Sequence, residues 1–276
     1  MKLPVVNILG INITLQSRET LLEEVKKYLD QSDKKPQKSL IIFTPNTEQL
    51  VLAQKNIVFA NVLNQADIAI PDTGGVVWAG HMLTKNGPKQ AIPGVEFLED
   101  LAAIAANRNV PIGLIGGRGD AVVKAFESLR NKYDGLDGWA IEPESFNVTD
   151  IVKKIQITGT KIVFVGLGAP KQEVFIEALS HQLSVVRQSD SRKLKAEGCI
   201  LMAVGGSFDI IGQKLLRAPE FIRRLRVPFF DGKIGFEWMW RLILEPWRWR
   251  RQLALVKFVW LVLYKKLATK GQAFRG

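Results

Sequence analysis

The sequence predicts an α/β protein, a mainly parallel sheet with helices on both faces followed by a helical, basic and aromatic appendage. Short runs of β-branched residues alternate with amphipathic stretches of helical period. Most of these runs end in a Gly, Pro, Asp or Asn cluster, and the last 63 residues change abruptly in composition.

In order, Pro4–Ile8 and Ile11–Thr14 read as short strands around a Gly10 turn. Ser17 can cap a helix to about residue 29, with Leu21, Leu22, Val25 and Leu29 on one face. Ser39–Phe43 is a strand, followed by helices near 47–54 and 57–64. The strand Asp67–Ile70 ends in Pro71-Asp-Thr-Gly-Gly75, and helices follow near 75–83 and 95–107. Pro111–Ile115 is a strand ending in Gly116-Gly-Arg-Gly-Asp120, with a helix to about residue 132. Gly138–Ile141, a helix near 149–157 and the strand Lys161–Val165 come next. Residues 187–197 read as a polar surface loop, and the strand 199–204 ends in Gly205-Gly-Ser-Phe-Asp209. The clusters at 44–49, 72–75, 116–120, 166–173 and 205–209 all fall after strands. In such sheets ligands lie beyond the strands' C-terminal ends, so one composite site is expected there.

The run Ile162-Val-Phe-Val-Gly-Leu-Gly-Ala-Pro-Lys-Gln-Glu173 is the most informative of these. A buried strand turns on Gly166 and Gly168 into a helix with Pro170 as its first residue. Val174, Phe175, Ala178 and Leu179 are expected on its inner face, with Gln172 and Glu173 at the rim. Such a helix N-terminus suits a phosphate. A βα turn whose glycines serve only packing has the same signature, and one turn does not separate the two.

Composition narrows the function. A chain of 276 residues, 47% hydrophobic, fills one large domain or two modest ones. The single cysteine, Cys199, sits in an apolar run and reads as a buried strand thiol. The first residues lack the pattern of a cleaved leader, and no window approaches about 18 uninterrupted apolar residues. A cytoplasmic or cytoplasm-facing protein is expected. Lys214 to the end holds 15 of the 38 basic residues, 4 of the 27 acidic ones and five of the seven tryptophans. The net charge of +11 therefore belongs to this tail, and we divide the chain into 1–213 and 214–276.

Common nucleotide motifs are absent. Gly166-x-Gly168 lacks the third glycine of the dinucleotide fingerprint, Gly116-Gly-Arg-Gly119 has the wrong spacing, and no P-loop occurs. His81 and His181 stand alone on helices, no Cys/His cluster offers a metal site, and no Asp-x-Asp pair could hold a cation under a diphosphate. No cofactor or metal is expected, and a bound diphosphate would be neutralised by helix termini and arginines.

Thr44-Pro-Asn-Thr-Glu48, Ala66-Asp-Ile-Ala-Ile-Pro-Asp72 with Gly74, Gly166–Glu173, Gly205–Asp209, Arg217-Ala-Pro219 and Glu237-Trp-x-x-Arg241 with Glu245-Pro-x-Arg248 occur in that order. The series closely resembles the WecG/TagA/CpsF glycosyltransferases (glycosyltransferase family 26) over nearly the whole chain. The resemblance implies a Rossmann-like fold and inverting transfer of an N-acetylmannosamine-type sugar from a UDP-sugar. The acceptor it implies is N-acetylglucosamine on a polyprenyl diphosphate at the inner membrane face, for teichoic acid or exopolysaccharide synthesis. By the same resemblance Asp72 is the catalytic base, although on sequence alone it also suits a Pro-Asp-Thr-Gly turn. Thr44, Asn46, Gly74, Gly166, Gly168 and Gln172 are implied to bind substrate. Asn46 could also cap a helix, and the two uses are compatible.

Arg217, Arg241, Arg248 and Arg251 are implied to hold the UDP end. The last three, spaced by seven and three, would lie within about 80° of one another on a single helix. A solvated basic face has the same pattern. Tryptophans alternating with arginines, then the apolar run 253–263 before Lys265, suit docking on an anionic membrane surface without spanning it. Burial in a homo-oligomer is the other home for that run. The chain departs from the family pattern at Ala91, where an arginine is usual, and at Glu96-Phe97. These leave the donor sugar open, with Lys89 or Arg118 able to supply the lost charge. Thr73 replaces a usual glycine, so that turn should need no positive φ. The stretches 187–197 and 227–235 look longer than typical. Two other classes fit less well. A nucleic-acid-binding protein is disfavoured by the charge-balanced first 213 residues, and a Rossmann oxidoreductase by the missing fingerprint.

Overall fold

The computed structural model describes residues 3–32, 37–142, 147–189, 198–212, 219, 226–229, 232–235 and 249–273. β1 (Val5–Ile8) and β2 (Ile11–Thr14) form an antiparallel hairpin. Leu9 and Gly10 have φ of 51° and 87°, the positive pair that matches strand twist in a two-residue turn. α1 (Arg18–Ser32), β3 (Leu40–Phe43), α2 (Thr47–Ala53), α3 (Ile57–Leu63), β4 (Ile68–Ala69), α4 (Gly74–Leu83) and α5 (Gly94–Asn107) follow. Then come β5 (Ile112–Gly116), α6 (Ala121–Lys132), β6 (Gly138–Ile141), α7 (Val148–Thr158), β7 (Ile162–Gly166), α8 (Lys171–Ser189), β8 (Ile200–Ala203) and α9 (Ser207–Ile211). β9 (Arg226–Phe229) pairs antiparallel with β10 (Gly232–Gly235), and α10 spans Trp249–Ala273.

Six parallel strands form the central sheet in the order β4-β3-β8-β7-β5-β6. The chain fills one edge with β3 and β4, crosses to β5 and β6, and returns through β7 and β8 to close the middle. The direction in which successive strands are added therefore reverses between β5 and β7, which pair in parallel through Gly116 and Gly166. Such reversals open a crevice at the C-terminal edge.

Side-chain alternation builds two cores. Ile162 and Phe164 pack with α1, α5, α6 and α9, whereas Val163 and Val165 pack with the β1–β2 hairpin, α2, α3, α4, α7, α8 and α10. Burial on both faces is why these strands read as continuous apolar runs. Cys199 is fully buried, its Sγ 3.2 Å from the Thr160 carbonyl, and burial pushes the thiol up to about 12. His81 Nε2 lies 3.0 Å from the Pro88 carbonyl, a structural use.

α10 is part of the second core, not a detached tail. Phe258 and Val262 are fully buried, and the Phe258 ring lies 6.5 Å from that of Trp78 on α4. Further along, Lys266 Nζ reaches Met82 Sδ at 3.6 Å, so α10 runs in the same direction as α4. Its opposite side exposes Leu253, Val256, Trp260, Leu263, Tyr264 and Leu267, with Trp260 and Tyr264 stacked at 5.4 Å. No helix among the described residues is long and apolar enough to cross a membrane.

Three expectations change. α8 continues to Ser189, so the first part of the expected 187–197 loop is helix, and residues 190–197 lie outside the described set. α8 is also rotated: Gln172, Glu173, Ile176, Leu179, Ser180 and Leu183 face inward, while Val174 and Ala178 face out. The cause is polar, because Gln172 and Glu173 are needed beneath the neighbouring loops, as described below. Finally, Pro170 precedes the helix, its carbonyl accepting from Val174 N–H at 3.2 Å, which is the N-cap position.

Candidate active site

Five strand-end loops meet at the C-terminal edge of the sheet. Asp72, half-buried after β4, is held at both ends. Its N–H donates to the Pro45 carbonyl at 3.3 Å, and its Oδ1 accepts from Gly94 N–H at 2.7 Å. Gly94 opens the 14-residue α5, so the carboxylate faces the positive end of a helix. α5 is itself anchored by Arg18, whose guanidinium binds Asp100 through two nitrogens (2.6 and 2.9 Å) and Glu96 at 3.0 Å. Glu96, one of the departures from the family pattern, is thus an ion-pair residue here.

Thr44, 8% exposed at the end of β3, donates to the Ala203 carbonyl at 3.3 Å. A Cβ placed on Gly94 would stand 3.2 Å from Thr44 Cγ2 and 3.4 Å from Asp72 Oδ1. Thr44, Asp72 and Gly94 therefore converge on one point. Asn46 caps α2: its Oδ1 accepts from Gln49 N–H at 3.0 Å, and its N–H donates to Gln49 Oε1 at 3.1 Å. This is a reciprocal capping box, and it leaves the Asn46 amide nitrogen outside the cap.

Gly74 is the first residue of α4, and Thr73 before it has φ of −128°, as expected without glycine there. A Cβ on Gly75 would lie 2.6 Å from Thr47 Cγ2, so the starts of α2 and α4 approach as closely as a glycine permits. Gly166 is a packing glycine, its missing Cβ replaced by the Phe208 ring at 2.7 Å. Gly168 has φ of +75° with open space around it, so its turn needs a left-handed residue. Gly117 N–H donates to the Gly166 carbonyl at 2.9 Å, tying the β5 loop to the β7 loop.

Gln172, expected at the rim, is only 2% exposed and spends its amide on the protein. Its Nε2 donates to Glu173 Oε1 at 2.8 Å, and its Oε1 accepts from Gly205 N–H at 3.0 Å. Glu173 Oε1 also accepts from Gln49 Nε2 at 2.8 Å. Burial pushes the Glu173 carboxyl above its ordinary range, opposed by the donors from Gln172 and Gln49.

Of the four arginines, Arg217, Arg241 and Arg248 lie outside the described residues, and Arg251 stands in the first turns of α10. Phe258 Cε1 is 3.9 Å from the Cβ position of Gly75, and α10 runs parallel to α4. Seven residues back is about 10 Å along the axis. The start of α10 is therefore directed toward the end of α4 that adjoins Asp72.

Sequence reasoning gave no role to Gln49 or Gly94, and it expected Glu173 at the rim, whereas Glu173 is fully buried. Asn46-x-x-Gln49 is a readable capping pattern, and Pro93-Gly94 before a helix is a readable start. Nothing local marks Glu173 as buried. Among the described residues no group of three His, Cys, Asp or Glu side chains converges to hold a metal ion. The arrangement offers a carboxylate held by a helix N-terminus, a threonine hydroxyl beside it, and glycine turns that bring backbone close to a ligand.

Comparison with known proteins identifies the family. The profile of the "Glycosyl transferase WecG/TagA/CpsF family" matches residues 6–272. The chain is 30% identical over 263 residues to an N-acetylglucosaminyldiphosphoundecaprenol N-acetyl-beta-D-mannosaminyltransferase of Bacillus subtilis (strain 168), covering 93% of this chain and 89% of that protein. It is 26% identical over 262 residues to the protein of the same name from Staphylococcus aureus (strain NCTC 8325 / PS 47), covering 94% and 91%.

Proposed function

Since the chain belongs to the WecG/TagA/CpsF glycosyltransferase family, we propose that it transfers an N-acetylmannosamine-type sugar from a UDP-sugar to N-acetylglucosamine on a polyprenyl diphosphate. The observation that carries the reading is Asp72, a carboxylate fixed by Gly94 N–H at the C-terminal edge, beside Thr44.

In this reaction the acceptor hydroxyl attacks the anomeric carbon as the bond to the UDP oxygen breaks, and configuration inverts. Asp72 takes the hydroxyl proton, a contribution of about 10²–10⁴ in rate for a positioned base. UDP leaves with its added negative charge balanced by the N-terminus of α8 and by Arg217, Arg241, Arg248 and Arg251, which makes a metal unnecessary. Thr44, Asn46 and Gly74 hold the sugars. Residues 214–276 complete the site, supported by α10 lying along α4 with its start toward Asp72.

The same helix is the membrane contact. Its exposed ridge from Leu253 to Leu267, flanked by Lys257, Lys265 and Lys266, suits the headgroup region of an anionic bilayer at the inner face of the plasma membrane. That places the enzyme where a polyprenyl-linked acceptor resides.

The deciding assay is UDP release from candidate UDP-sugars by full-length protein, with and without lipid-linked N-acetylglucosamine, in EDTA. Acceptor-dependent release that survives EDTA, and falls at least about tenfold in Arg248→Ala and Arg251→Ala, is expected. Release abolished by EDTA and restored by a divalent cation would refute the metal-free reading. Unchanged rates in both arginine variants would remove the tail from the site.

A further inference from the structure

Six hydrogen bonds link loops that are far apart in sequence, and two of them meet on one side chain. Glu173, fully buried, accepts on Oε1 from Gln49 Nε2 and from Gln172 Nε2, both at 2.8 Å. Gln172 passes the connection to Gly205 N–H in the loop after β8. Gln49 passes it to Asn46, and the adjacent Pro45 carbonyl receives Asp72 N–H. The loops after β3, β4, β7 and β8 thus share one carboxyl group, which has no contact with solvent.

We propose that Glu173 is a positioning residue for the transfer reaction, fixing the Thr44–Asn46 loop and the Gly205 loop relative to the start of α8 and so setting the geometry around Asp72. The inference rests on the reading of Asp72 as the base of a sugar transfer.

The chemistry of the hub favours a neutral acid. Two amide donors converge on Oε1, while Oε2 is buried without a hydrogen-bond partner among the described residues. An ionised carboxylate would leave a charge there with no cation among the described residues shown to offset it. β3, β7, β8 and α3 carry no titratable groups. α2 brings Glu48, α8 brings Lys171, Glu177 and His181, and α7 brings Asp150, Lys153 and Lys154. None of these governs Glu173, whose carboxyl is pushed up by burial against the pull of Gln172, its own N–H and Gln49. A neutral Glu and a Gln have the same shape, the same accepting oxygen and one donating partner atom. Glu173→Gln should therefore preserve the hub, whereas Glu173→Ala removes it and Gln49→Met removes its α2 arm together with the Gln49 half of the capping box.

The test has two arms on the full chain. Hydrogen exchange is followed at peptides covering 44–50 and 203–207, and acceptor-dependent UDP release is measured across pH. Glu173→Gln is expected to keep wild-type exchange and kcat within about twofold and to lose the decline with rising pH that ionisation of Glu173 imposes. Glu173→Ala should speed exchange in both peptides together, although they lie more than 150 residues apart. Its kcat should fall at least about tenfold, in keeping with the cost of a small misplacement of reacting groups. Gln49→Met should loosen 44–50 alone. Wild-type exchange in Glu173→Ala would overturn the proposal, and so would a Glu173→Gln variant as impaired as Glu173→Ala, since the charge would then be what acts. If wild-type protein releases no UDP, the transfer reading fails by itself, while the exchange arm still decides whether Glu173 couples the loops.

Discussion

Gly94 N–H donates to Asp72 Oδ1 at 2.7 Å, so the first peptide of α5 orients the carboxylate proposed as the base. Asp72→Asn keeps an oxygen for that bond and removes only the capacity to take a proton. UDP release should fall about 10²-fold or more, with the thermal midpoint unchanged. Full activity in this variant would place the base elsewhere.

Gly94→Ala tests the same relationship from the other side. The backbone at Gly94 is not left-handed, so alanine is not strained by φ, and its helix propensity is better than that of glycine. The added methyl would meet Thr44 Cγ2 at 3.2 Å and Asp72 Oδ1 at 3.4 Å. The expected signature is a chain as stable as wild type with kcat lowered about tenfold, read from thermal unfolding and UDP release together.

The two faces of α10 should separate. Phe258→Ala empties a fully buried position and should cost about 3–5 kcal/mol in denaturant unfolding. Trp260 and Leu267 are 61% and 69% exposed, so Trp260→Ser with Leu267→Ser should leave that midpoint in place. Each large side chain gains about 1.5–3 kcal/mol on leaving water, so binding to anionic vesicles should weaken about a hundredfold in flotation. Undiminished vesicle binding would assign the ridge to another partner, and concentration-dependent mass in sedimentation would identify a second copy.

The pH dependence of stability follows from Glu173. Its folded-state value is raised above the ordinary value of 4.5, so the folded chain binds the proton more tightly than the unfolded one. Its contribution is fully present below the unfolded value and is lost as pH rises through the folded one. Glu173→Gln cannot titrate. The difference in unfolding free energy between the two proteins should shift with rising pH in favour of the variant, and a difference constant with pH would contradict a raised value.

Cys199 should be inert in the native protein. It is fully buried, with its thiol at about 12, so alkylation by iodoacetamide at pH 8 should be seen only after denaturation.

Much of the fold was legible because its signals are local. Ile162–Gly166, Ile200–Ala203 and Leu40–Phe43 announce themselves as apolar runs, and Gly10, Gly168 and Gly205 mark turns whose φ is positive. The positions of Thr44, Asp72 and Gly166 at strand ends followed from the same pattern. The rotation of α8 did not, because Val174 and Ala178 fit an inner face as well by period as Ile176 and Leu183 do. What decides is a polar demand from Gln49 and Gly205, far away in sequence. The β9–β10 hairpin was equally hidden in a stretch whose composition reads as basic appendage.

By itself, then, the sequence determined the alternation of strands and helices, the glycine turns at their junctions, the family, and Asp72 as the residue to test. Tertiary structure alone decided the strand order, the close approach of Gly94 to Asp72 and Thr44, the docking of Phe258 beside Gly75, and the burial of Glu173. The division is physical. Periodicity and turn chemistry act over a few neighbouring residues, whereas hydrogen bonds between loops and the exclusion of water exist only once the sheet brings distant segments together.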